Sequence, residues 1–119
     1  MKNKMLLLLI FLLISCSLPT VPTQDSISVT TSDNELKITN RSNKTIYLFV
    51  VEQKVAARID WSPHFSEPNV NKYNTVKINY KDIYNGSNNP VRTGDKIIVY
   101  YWDDTDKTKP KIYSKLIQL

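Results

Sequence analysis

His64 is the only histidine in a chain of 119 residues, so any histidine chemistry must run through it. It closes the segment Asp60-Trp61-Ser62-Pro63-His64, which holds the three side-chain types of a hydrolytic triad. A working triad brings its nucleophile, base and orienting acid together from separate supports. Three residues along one proline-containing loop do not converge that way, and no Gly-x-Ser-x-Gly elbow occurs in the chain. Asp103, Asp104 and Asp106 concentrate hard oxygen ligands of the kind calcium prefers. Counted from Asp104 as an EF-hand loop, however, the sixth position is Lys109 instead of glycine and the twelfth is Lys115 instead of glutamate. Lys107, Lys109 and Lys111 also offset the carboxylates. The sequence therefore predicts a non-enzymatic protein with no metal centre and no cofactor.

The same loop suits binding better than catalysis. Trp61, His64 and Phe65 fall in the long irregular stretch Asp60 to Asn74. Aromatic side chains supply contact area in few rotatable bonds, and prolines lower the entropy lost when a loop is ordered. These three residues are the candidate partner contacts. The competing reading is that Trp61 plugs one end of a core and the loop only connects.

Cys16 is the single cysteine, which excludes an intramolecular disulfide and a cysteine-based zinc site. It follows Lys2 and Lys4 and an unbroken apolar run from Met5 to Ile14. The run is shorter than the roughly 20 residues needed to span a bilayer and has the length of a signal-peptide core. Leu13-Ile14-Ser15-Cys16 resembles the lipobox of bacterial lipoproteins. The resemblance implies diacylglycerol transfer to the Cys16 sulfur, cleavage before Cys16, and acylation of the new amino terminus. It also implies a lipid-anchored location in the bacterial cell envelope. No Asp follows Cys16, which under the sorting rule for two-membrane bacteria favours the outer membrane if the host has one.

Three segments are expected: a signal over 1–15, a lipidated N-terminus and Pro-rich tether over 16–25, and one domain over 26–119. Removing Lys2 and Lys4 from the formal charge of +5 leaves +3, a mild excess. Export argues against nucleic acid as a partner. The expected partners are a membrane, through the lipid on Cys16, and an envelope protein or polymer, with anionic lipid one possible attraction for the excess charge. An inhibitor or immunity-type protein, plugging an envelope enzyme through the Asp60–Asn74 loop, is the second functional reading.

The domain has the period of β-structure. Ile27/Val29, Leu36/Ile38 and Val76/Ile78/Tyr80 alternate as strands do, and the run Lys96 to Trp102 is strongly β in composition. Thr45 to Glu52 is apolar on both faces, which predicts a central strand covered on both sides. Lys54 to Ile59 suits a short strand or a helical turn. With only two glycines in the chain, Asn and Asp must supply much of the turn chemistry. About seven short strands with no long helix predict an all-β fold: a small antiparallel, immunoglobulin-like β-sandwich, with a small barrel as the alternative. The sequons Asn40-Arg41-Ser42, Asn43-Lys44-Thr45 and Asn85-Gly86-Ser87 are read as chance matches in an asparagine-rich chain.

Overall fold

The alternating pattern resolves into seven strands in the computed structural model, which describes residues 26–119. The expected signal, Cys16 and the tether lie outside the described residues. In chain order the elements are β1 (Ile27–Ser32), β2 (Glu35–Asn40), β3 (Ile46–Glu52), the single helical turn α1 (Gln53–Ala56), β4 (Asn69–Val70), β5 (Thr75–Asn79), β6 (Lys96–Trp102) and β7 (Tyr113–Gln118). They form two antiparallel sheets, β1-β2-β5 and β4-β3-β6-β7. Of the two options left open for Lys54 to Ile59, the helical turn is realised, one residue earlier and shorter than the stretch suggested.

The arrangement is an immunoglobulin-like sandwich. Strands one, two and five share one sheet, and strands three, six and seven share the other. In a constant-type immunoglobulin domain the fourth strand joins the first group. Here β4 pairs instead with β3, Ile46 opposite Val70 and Tyr47 opposite Asn69. The β4 edge is therefore only two residues long.

Alternate residues of the two sheets meet in the core. Ile27, Leu36 and Ile38 of the three-stranded sheet face Ile46, Leu48, Val50, Ile97, Val99 and Tyr101 of the four-stranded one. Tyr80, Ile83 and Val91, from the connection between β5 and β6, close the far end. β3 is central, as its two apolar faces required. Leu48 faces the core, while Tyr47, Phe49 and Val51 face outward under the segment 53–68.

The turns follow the expected chemistry. Asn34 takes a left-handed backbone, φ 68°, in the two-residue turn joining β1 to β2. Tyr80 pins that turn: its N–H donates to the Asn34 carbonyl at 2.9 Å and its hydroxyl to the Ser32 carbonyl at 2.9 Å. At the opposite end the crossing from β2 to β3 is organised by buried Asn40. Its amide donates to the carbonyls of Lys44 and Val70, and its Oδ1 accepts from the Ser42 N–H at 2.9 Å and the Ser42 hydroxyl at 2.7 Å. Both donors and both lone pairs are thus occupied, which offsets the cost of desolvating a polar side chain in the core.

Candidate functional site

The segment between α1 and β4 lies flat on the outer face of the four-stranded sheet. Trp61 packs against three sheet aromatics, with ring centroids 4.7 Å from Phe49, 4.9 Å from Tyr100 and 5.6 Å from Trp102. Phe65 sets its edge on Tyr47 at 5.3 Å, and the Lys107 ammonium lies 5.5 Å from the Phe65 ring. His64 is held from both sides. A carbonyl only accepts, so the imidazole Nε2–H donates to Leu48 O, 3.0 Å away, and leaves Nδ1 facing the Ser66 N–H at 3.4 Å. The His64 carbonyl in turn accepts from the Trp102 indole N–H at 2.8 Å.

The three loop residues singled out in the sequence are therefore brought together, all half-buried, as the braces that fix the loop to the sheet. Trp61 covers a face of the sandwich instead of plugging one end. Asp60 and Ser62 are exposed and make no triad with His64, whose ring is committed to main-chain groups. Among the described residues no group of three or more His, Cys, Asp or Glu side chains is placed to hold a metal ion. The Asp106 carboxylate turns back on its own loop, accepting from the Thr108 hydroxyl and from the N–H groups of Thr108 and Lys109, bonds that hold its pKa below the usual value.

Pinning the loop creates a second feature that the sequence did not signal. Past Phe65 the main chain rejoins the edge of β3 at Pro68, whose carbonyl accepts from the Leu48 N–H at 3.0 Å. The next contact along that edge is Tyr84, whose carbonyl accepts from the Glu52 N–H at 2.8 Å. Between them opens a groove of about 650 Å³. Its lining includes Phe49, Val50, Pro68, Val76, Ile78 and Tyr84, with Glu67, Lys77 and Asp82 as its charged residues. Tyr84 is 55% exposed.

One wall of this groove is β5, an edge strand. The Asn40 N–H to Asn74 carbonyl bond and the Tyr80 N–H to Asn34 carbonyl bond place the even-numbered residues of this strand in hydrogen bonding with β2. The main-chain groups of Thr75, Lys77 and Asn79 accordingly point away from β2, and no other described strand pairs with that edge. The groove thus combines an apolar floor with a row of main-chain donors and acceptors. That is the chemistry of an extended peptide.

Compared with known proteins, the chain matches no family model, no curated sequence and no solved structure.

Proposed function

We propose that the protein is a lipoprotein of the bacterial cell envelope, anchored through lipid on Cys16, and that its domain works by binding a macromolecular partner and not by catalysis. The anchor half of this reading rests on Leu13-Ile14-Ser15-Cys16 and the apolar run before it. The binding half rests on one observation: the apolar groove beside the open β5 edge. An exposed edge with an adjoining apolar trough suits an extended segment of another protein, whose backbone would continue the β1-β2-β5 sheet while alternate side chains enter the groove. Trp61, His64 and Phe65 contribute by holding the 60–74 loop, so that Glu67, Pro68 and Asn69 stand as the far wall; the half-exposed Trp61 and Phe65 rings remain available to a partner reaching over the loop.

The inhibitor reading draws less support. It calls for a long protruding loop with an exposed Trp61, whereas Trp61 is half-buried and stacked on the sheet. The absence of Asp after Cys16 favours an outer-membrane location where the host has one.

Two measurements test the proposal. Growth with a labelled fatty acid labels the wild-type protein and not Cys16→Ser; equal labelling of both removes the anchor. Pull-down from detergent-solubilised envelope is then compared for wild type, Ile78→Asp and Tyr84→Ala. Loss of the same captured protein from both variants supports the groove. Retention by both, in proteins that remain folded by circular dichroism, moves the binding surface elsewhere.

A further inference from the structure

The tether leaves the domain among cations. Ser26, the first described residue, lies at the end of the sandwich where the β2–β3, β4–β5 and β6–β7 connections gather. Hydrogen bonds tie these pieces into one surface. The Arg41 N–H donates to the Ser26 carbonyl at 2.8 Å, the Asn40 N–H to the Asn74 carbonyl at 2.8 Å, and the Lys44 ammonium to the Thr105 hydroxyl at 2.9 Å. The three connections bring Arg41, Lys44, Lys72, Lys107, Lys109 and Lys111 to this end, against the carboxylates of Asp103, Asp104 and Asp106. The opposite end is not basic: Lys54, Lys81, Arg92 and Lys96 stand there against Asp33, Glu35, Glu52, Asp82 and Asp95. Most of the positive excess of the domain is therefore at the end from which the chain departs.

Tyr73 adds a second observation. It is 67% exposed, and its backbone is left-handed, φ 59°, in the turn closed by the Asn74 N–H on the Asn71 carbonyl at 3.0 Å. For a bulky residue this conformation is strained, and Asn or Gly would adopt it more cheaply. A tyrosine kept in such a position, pointing at solvent beside Lys72, gives nothing to the core. It does suit a bilayer interface, where an amphipathic ring sits at headgroup level. Ile112, 40% exposed, lies at the same end.

We infer that this end of the domain docks on anionic phospholipid headgroups of the membrane that carries the anchor. The inference rests on the Cys16 reading for proximity: the ten residues from 16 to 25 reach at most about 35 Å when fully extended. That tether holds the basic end close to the surface, where Lys and Arg gain most from a negative surface potential. Docking in this pose turns the 80–95 connection and the far end of the groove away from the bilayer, toward a partner.

The test uses the mature lipidated protein in vesicles of phosphatidylcholine alone or with three parts in ten phosphatidylglycerol. An environment-sensitive fluorophore is placed at Asn71→Cys, beside the basic end, or at Asn88→Cys, at the far end. The expected result is a blue shift at position 71 on the anionic vesicles only, reversed by about 0.5 M salt, with position 88 silent on both. Replacing Lys72, Lys109 and Lys111 together by Gln lowers the ratio of docked to free domain roughly tenfold or more. Tyr73→Asn lowers it while leaving thermal stability unchanged or raised. Equal signals on the two vesicle types, or equal responses from the two labels, overturn the inference. So does a response to soluble polyphosphate in the absence of any response to vesicles. Mass spectrometry of the same preparation reports the lipid on Cys16. If the lipid is missing, the anchor reading fails, and the same comparison, made by adding protein to preformed vesicles, still reads the basic end.

Discussion

His64 and Trp102 hold each other at two points. The Trp102 indole N–H donates to the His64 carbonyl at 2.8 Å, and the His64 ring stands edge-on to the indole with centroids 5.2 Å apart. Trp102 is nearly fully buried by this contact although it lies on the outer face of its sheet. A loop of irregular backbone is thereby treated as a third layer.

Breaking the brace should release the loop. His64→Ala removes the donor to the Leu48 carbonyl and leaves that partly buried acceptor unpaired. The expected cost is about 1–3 kcal/mol in urea unfolding. Trp61→Ala should cost about 2–4 kcal/mol, below a fully buried tryptophan because the ring is half-exposed. If both variants unfold at the wild-type urea midpoint, the loop is not a structural layer.

Core truncations should rank by methyl groups lost. Leu48 and Val99 are both completely buried, on neighbouring central strands. Leu48→Ala is expected to destabilise by roughly 2–4 kcal/mol and Val99→Ala by the lower end of that range. Chemical denaturation of each variant checks the order.

Asn40 and Asn43 should behave oppositely, although both begin sequons. Asn40 is 1% exposed with all its polar valences used, whereas Asn43 is exposed. Asn40→Ala leaves buried partners unpaired and should cost at least about 2 kcal/mol. Asn43→Ala should stay within about 0.5 kcal/mol of wild type. Thermal melts of the pair distinguish a core asparagine from a surface one.

Tyr80 should make the domain sensitive to base. Burial raises its pKa above the ordinary 10.0, and the nearby Asp33 charge raises it further. The unfolded chain therefore loses this proton first as pH rises. The contribution of Tyr80 is fully present below about pH 10 and declines above it, toward the raised folded value. Tyr80→Phe should flatten stability between pH 10 and 11 relative to wild type, while lowering it at neutral pH through loss of the bond to the Ser32 carbonyl. A wild-type stability that does not fall over that range contradicts the assignment.

Local pattern determined much of this protein in advance. The alternation in Leu36 to Ile38 and the β-branched and aromatic runs Ile46 to Val51 and Ile97 to Trp102 marked strands because such patterns are a property of neighbouring residues. The doubly apolar face of β3 announced a central strand, and the scarcity of glycine pointed to asparagine at turns such as Asn34. The motif ending in Cys16 is also local, and it remains the sole basis for the anchor.

Other features depended on contacts no window could contain. Asn40 became a core residue because Val70, 30 positions away, offers its carbonyl. His64 and Trp102 meet across 38 positions, and Lys115 reaches the Ile27 carbonyl across 88. The choice of sheet for β4, the groove left by its shortness, and the gathering of cations from three connections around Ser26 have the same origin. Side-chain period tells a strand which faces it has, but only the packing of distant segments decides what each face and edge will meet.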